Sequence, residues 1–197
     1  MPSIISSISG EFRRYKALGD AALAQLKDEE LASGDPAAGS NSAAVLVWHV
    51  AGNLRSRFTD FLTTDGEKAW RRRDEEFTAR AVTREELLAK WSGGWDALFG
   101  ALDALTDDHL RQTITIRSQE FEVQDALHRS LAHIAYHVGQ LVFLAKSFRG
   151  EQWKNLSIPL GKSEEANRNP VHQDAGSHAE KIAAAIGLAG SKPANRA

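Results

Sequence analysis

The sequence predicts an all-α fold, a four-helix bundle with a short hairpin before the fourth helix. Two observations carry this prediction: apolar residues recur every three or four positions along four long segments, and one short stretch alternates between apolar and polar residues. At 197 residues the chain is long enough to bury the core of one domain. We expect that domain at residues 1–170 and a peripheral Ala/Gly-rich tail at residues 171–197.

The first two helices are expected on either side of a short connector. The first helix is expected over residues 4–26. Residues 33–41 combine Gly, Pro and Ser, which is typical of a loop. Asn41 or Ser42 can then cap a second helix that reaches about residue 62.

A long polar loop and a capped helix come next. Residues 63–81 are charged and only weakly periodic, and loops of this length tend to be functional or disordered. Thr83 and Glu86 form the S/T-x-x-E capping box, which opens a third helix reaching residue 105. Gly93 and Gly94 lie inside this helix and indicate a packing feature or a kink.

The last third of the chain combines the hairpin with the longest helix. Alternation over residues 113–117 and 120–123 predicts the hairpin. The fourth helix is expected over residues 123–148, followed by an irregular segment at residues 153–163. Within the tail, residues 179–188 can form a short helix.

Composition excludes several functional classes. The chain has no cysteine, which excludes disulfide bonds, thiolate metal ligands and a cysteine nucleophile. Its formal net charge of -2 gives no basic field for nucleic acid or a membrane surface. The polar N-terminus lacks the pattern of a secretory signal, and no apolar run approaches the ~20 residues that span a bilayer. We therefore expect a cytoplasmic protein that binds neither nucleic acid nor membrane.

A pair of histidines on the fourth helix indicates a metal site. His133 and His137 are four residues apart, so their imidazoles project from one helix face, one turn apart. Two histidines with this spacing can bind one ion, as in other helical zinc sites. They lie at the border of the apolar stripe, which places them in a groove between helices. The alternative is a pair that only packs or decorates the surface.

His49 on the second helix has a similar position beside its own apolar stripe. Asn53, Ser56 and Asp60 form a polar strip next to it, and Arg57 lies between that strip and the apolar face. Polar groups at a buried edge are costly unless they find partners or ligands. If the second and fourth helices pack together, three histidines can converge on one divalent metal.

The segments around these histidines resemble those of a known superfamily. The second-helix segment LVWHVAGNLRSRFTDFL and the fourth-helix segment LAHIAYHVGQLVFLAK resemble the DinB-like (DinB/YfiT-like) superfamily, whose members are regarded as metalloenzymes. TDGEKAWRRRDEEF and WKNLSIPLGKS are similar to the motifs of one uncharacterised branch of it. The resemblance covers residues 4–169.

The resemblance implies a fold, a metal and a type of chemistry. The implied bundle has up-down-down-up connectivity, and the implied ligands are His49, His133 and His137. The implied metal is zinc or nickel, with iron and manganese as alternatives, and the implied assembly is a homodimer. Some relatives transfer low-molecular-weight thiols such as bacillithiol or mycothiol to electrophiles, and others isomerise or hydrolyse small thiol adducts.

We therefore expect a metal-dependent enzyme for a small molecule, either a thiol transferase or a hydrolase. Its alternatives are a non-catalytic metal- or ligand-binding module related to stress, and a dimerisation scaffold. The catalytic residues stay unknown. The expected substrate-binding residues are Asn53, Arg57, Asp60, Arg71 and Trp153. The run of three arginines at residues 71–73 can bind an anionic substrate, or can simply be a solvated loop face.

Overall fold

The computed structural model describes residues 3–34, 39–168 and 175–185, and this part of the chain is mostly helical. The prediction of a helical fold is therefore confirmed. Four long helices account for most of it, each near a predicted segment: α1 (Ile4–Gln25), α2 (Ala43–Phe58), α3 (Arg84–Asp103) and α4 (Val123–Arg149). α2 ends four residues earlier than expected, because Thr59 is extended and Asp60 has a φ of 50°.

Side-chain oxygens satisfy the free amides at the helix starts. Ser42 caps α2 by accepting a hydrogen bond from the amide of Val45, and Thr83 forms the predicted capping box with Glu86. At α1, the carboxylate of Asp107 accepts hydrogen bonds from the amides of Ile4 and Ile5, at 3.0 and 2.9 Å. This contact also ties the segment after α3 to the start of the chain.

α2 and α3 pack closely because a glycine faces α2 at the contact. A Cβ atom on Gly94 would lie 2.6 Å from the Cα of Ala51, closer than real Cβ atoms approach. Gly93 is exposed, and a Cβ there would meet no atom within 4 Å. Of the two glycines singled out in the sequence, Gly94 is therefore the packing residue.

We expect Gly94→Ala to lower the free energy of unfolding by about 1–3 kcal/mol, the usual cost of overpacking a tight core. Gly93→Ala is the matched control, since alanine there gains helix propensity without a clash and should stabilise slightly. Urea denaturation of the two variants measures the difference. Equal stability of both would contradict the tight α2–α3 contact.

The predicted hairpin is present before α4. β1 (Thr113–Ile116) pairs antiparallel with β2 (Gln119–Glu122), and Arg117 and Ser118 make the turn with φ angles of 53° and 58°. Val123 follows β2 directly and begins α4. The hairpin therefore lies at the N-terminal end of the helix that carries His133 and His137.

The end of the described chain forms two short helices, α5 (Ser163–Arg168) and α6 (Ala175–Ala185). α6 packs against α1, and its Ile182 is buried with Ala21 and Leu156. The helix expected at residues 179–188 thus begins earlier than predicted, and its last three residues lie outside the described ones. The expected domain boundary at residue 170 also lies outside the described residues.

Within the described ranges, no helix combines the length and apolar character that crossing a membrane requires.

Candidate metal centre

Three imidazoles from two helices converge at one point between α2 and α4. The Nε2 atom of His133 lies 3.2 Å from Nε2 of His49 and 3.1 Å from Nε2 of His137. His49 and His137 are only 5% and 8% exposed. The buried α4 residues Ile134, Val138 and Leu141 pack this side of the helix against the core. The two α4 histidines, His133 and His137, therefore lie next to the core.

Hydrogen bonds fix which nitrogen of two rings carries the proton. Nδ1 of His49 lies 3.0 Å from Oε2 of Glu76, and Nδ1 of His137 lies 2.9 Å from Oε1 of Gln140. Because a carboxylate and an amide oxygen can only accept, each Nδ1–H donates. The Nε2 atoms of His49 and His137 therefore present lone pairs toward His133.

Burial keeps the α4 imidazoles neutral. Desolvation, reinforced by the neighbouring His137 and His49, lowers the pKa of His133 to about 3. Desolvation also lowers the pKa of His137, although its hydrogen bond to Gln140 opposes the effect. Both rings are therefore unprotonated at neutral pH, which is the form that binds a metal.

The two nitrogen separations from His133 fit a single ion, and the ligand atoms of all three histidines lie within 4.8 Å of one another. With metal–nitrogen bonds of about 2.0–2.1 Å, two ligand nitrogens lie about 2.9 Å apart at a right angle and about 3.3 Å apart at a tetrahedral angle. Both separations from His133 fall in this interval. His133 could donate one proton to only one of its two neighbours, so one lone pair is left without a donor among the three rings, and a cation bound to all three Nε2 atoms would satisfy both. The three histidines could therefore hold a metal ion.

A buried salt bridge positions His49. Glu76 is 6% exposed and accepts from Nε and Nη2 of Arg71, both at 2.9 Å, as well as from His49. Burial alone would raise the pKa of Glu76, but the hydrogen bonds from His49 and Arg71 and the charge of Arg71 bring it below its ordinary value. The carboxylate can approach because residue 52 is glycine: a Cβ there would lie 2.1 Å from Oε1 of Glu76.

A cavity of about 290 Å³ opens beside the three histidines. Of the expected substrate-binding residues, Asn53, Arg57 and Arg71 line it. Asp60 and Trp153 do not: Asp60 lies at a separate depression near the end of α3, and Trp153 packs against the cluster of Ala21 and Leu156.

Ser56, the other member of the predicted polar strip, has a structural role. It is fully buried, and its hydroxyl donates to the carbonyl of Gly66 at 2.7 Å and accepts from the amide of Lys68 at 3.3 Å. These bonds dock the long loop onto α2.

Arg73, from the arginine run that the sequence offered as an anion binder, also lines the cavity. Four further residues around the centre were not anticipated as site residues: Glu76 and Gln140 orient the histidines, and Arg117 and Arg129 line the cavity. Glu76 belongs to the TDGEKAWRRRDEEF segment, which the sequence marks as a motif but whose fold it does not reveal. Gln140 follows His137 by three residues, a spacing that allows contact on a helix face and could have indicated it.

The aspartate of the same motif fastens the loop to the hairpin. Asp65 accepts hydrogen bonds from the amides of Glu67, Arg117 and Ser118, at 2.7, 2.8 and 2.8 Å. The bonds from Glu67 and Ser118 are the main reasons that the pKa of Asp65 lies below its ordinary value. A lowered carboxyl pKa stabilises the folded state at a pH above the unfolded value, and this stabilisation disappears as pH falls through the folded value.

We therefore expect Asp65→Asn to melt at a lower temperature than the wild type at pH 7, with the difference shrinking as pH falls below about 4, the ordinary pKa of aspartate. Thermal melts of both proteins between pH 7 and pH 3 measure this. Asp74→Asn, at an exposed carboxylate of the same loop, is the control. A melting difference that does not change with pH would contradict the role assigned to the carboxylate.

Comparison with known proteins gives one family. The family model described as a protein of unknown function, DUF1572, matches residues 3–162. The chain belongs to the DUF1572 family. The matched span contains all three histidines, Glu76 and the hairpin. No curated protein and no solved structure gives a significant match.

Proposed function

We propose that this DUF1572 protein is a metal-dependent enzyme that acts on a small molecule, by thiol transfer or hydrolysis, at a three-histidine divalent metal site. The observation that carries the proposal is the convergence of three imidazole Nε2 atoms at the wall of a cavity. Three protein ligands leave at least one coordination position open, which is typical of catalytic rather than structural zinc sites. We expect zinc or nickel as the metal.

We also propose that the chain is DinB-like and that its four long helices form the up-down-down-up bundle of that superfamily. The packing of α1 against α4, and of α2 against both α3 and α4, supports this arrangement. So does the distribution of the histidines, one on α2 and two on α4. A cytoplasmic homodimer is part of the same proposal.

The bound ion, the residues that orient its ligands and the substrate have separate roles at this site. When bound, a divalent ion supplies Lewis acidity that polarises an electrophile and favours the anion of a thiol or of water near neutral pH. Glu76 and Gln140 hold the protons on Nδ1 of His49 and His137 and so keep both Nε2 lone pairs directed at one point. Because the chain has no cysteine, a thiol nucleophile has to enter the cavity as a substrate.

Thiol transfer is tested with monochlorobimane and a panel of low-molecular-weight thiols. The thiol sulfur bonds to the bimane methylene carbon, chloride leaves, and the thiol proton passes to solvent. Hydrolysis is tested in parallel with p-nitrophenyl acetate. We expect zinc- or nickel-loaded protein to exceed both metal-stripped protein and the loaded His137→Ala variant in one of the two assays. Equal rates in both assays would overturn the enzyme proposal and favour a non-catalytic metal-binding module.

A further inference from the structure

The cavity beside the three histidines is lined by five arginines, Arg57, Arg71, Arg73, Arg117 and Arg129. None of the thirteen described residues that line it is acidic. Such a concentration of one charge is costly unless counter-charges or a ligand balance it. We call these five residues the arginine wall.

The side chains of the two inner arginines are largely withdrawn from solvent, and one of them keeps an unpaired donor. Arg71 is 2% exposed in its side chain and pairs with Glu76, yet its Nη1 has no hydrogen-bond partner among the described residues. Arg57 is 12% exposed in its side chain and shares Glu67 with Arg117, at 3.2 and 2.8 Å. The carboxylate of Glu67 thus pairs with two guanidinium groups, and Nη1 of Arg71 is a buried donor without an acceptor among the described residues.

Of the three outer arginines, Arg117 is paired with Glu67, whereas Arg73 and Arg129 are free to meet a ligand. Arg129 is exposed and lies over the ring of Phe121, and it forms no ion pair with any described residue. Arg73 lies over the ring of Phe77, and its nearest carboxylate, that of Asp74, is 3.7 Å away and fully solvated. Exposed pairs of this kind contribute little. The wall therefore keeps an excess of positive charge even after Glu67 and Glu76 are counted.

We infer that the small molecule bound in this cavity carries an oxyanion, a carboxylate or a phosphate, which the arginine wall binds beside the three histidines. That this molecule is the substrate of the enzyme rests on the proposed function. Guanidinium groups match both kinds of oxyanion through two parallel hydrogen bonds, and Nη1 of Arg71 is a buried donor still lacking an acceptor. A volume of about 290 Å³ lies at the lower end of ligand pockets, so the anion is small.

The test is calorimetric titration of metal-free protein with malonate, with inorganic phosphate and with malonamide, the neutral analogue of malonate. Metal-free protein is used so that binding reports the arginine wall. We expect malonate or phosphate to bind and malonamide not to bind, and the preferred anion identifies a carboxylate or a phosphate ligand. Raising the salt concentration should weaken the binding.

Variants locate the binding within the molecule. Arg73→Gln and Arg129→Gln should each weaken binding of the preferred anion about tenfold, since each removes a charge-assisted hydrogen bond. Arg111→Gln is the matched control, because Arg111 is 76% exposed in its side chain and lies outside the cavity. The inference is overturned if malonate and phosphate bind no more tightly than malonamide, or if Arg111→Gln weakens binding as much as the two cavity variants.

Metal analysis of the same preparations separates this inference from the proposed function. Zinc binding without anion binding would leave the metal proposal standing and overturn the inference that the arginine wall binds an anion. Anion binding that depends on Arg73 and Arg129, in a protein that takes up no zinc, would support the anion site and overturn the metal proposal.

Discussion

Replacing His137 with alanine is expected to weaken zinc binding about a hundredfold or more while the metal-free fold is retained. Zinc sites with four ligands gain about 10–16 kcal/mol, so one ligand contributes on the order of 3 kcal/mol, which is about a hundredfold in Kd. His137 supplies one of only three nitrogens here, and its Nε2 lies 3.1 Å from that of His133. Competition with a chromophoric zinc chelator measures the change.

His128→Ala is the matched control for this substitution. His128 is on the same helix but is exposed, and it does not line the cavity. We expect it to leave the zinc Kd unchanged, and we expect both variants to melt near the wild type in the metal-free form. Wild-type affinity in His137→Ala, or an equal loss in His128→Ala, would show that zinc does not bind at the three histidines.

Glu76→Ala should have the largest effect on stability and a second effect on the metal. Removing one partner of a buried ion pair costs about 3–5 kcal/mol, because the other charge remains buried and unpaired. Here that charge is Arg71, whose side chain is 2% exposed. The same change frees the Nδ1–H of His49, and loss of such a hydrogen bond weakens metal affinity about 10–100-fold.

Two measurements separate the effects of Glu76→Ala. Urea denaturation of metal-free protein gives the loss in the free energy of unfolding, and chelator competition gives the zinc Kd. Glu75→Ala is the control, since the neighbouring carboxylate is 70% exposed in its side chain. If Glu76→Ala unfolds at the same urea concentration as Glu75→Ala, the buried pair does not stabilise the fold.

Short-range sequence rules predict the long helices and the proximity of two of the three histidines. Ser42, Thr83 and Glu86 cap helices as short-range capping chemistry predicts. The spacing of His133 and His137 puts them together whatever the rest of the chain does. His49 lies close to His133 and His137 because α2 packs against α4. The sequence is compatible with that packing but does not by itself predict it.

The residues missed from the sequence depend on the path of the long loop. Glu76 is 27 positions from His49, and Asp65 is 52 positions from Arg117, so no local periodicity connects either pair. The loop lies against α2 and the hairpin through Ser56 and Asp65, polar contacts that hydrophobic patterns do not indicate. Asp60 was expected near the histidines because the second helix was expected to continue, but the chain leaves the helix after Phe58.

The most direct measurement is anomalous diffraction at the zinc edge from crystals of protein loaded with one equivalent of zinc. We predict one strong anomalous peak per chain, about 2.0–2.1 Å from Nε2 of His49, His133 and His137. A zinc peak elsewhere in the molecule, or no peak between these three rings in fully loaded protein, would contradict the metal centre.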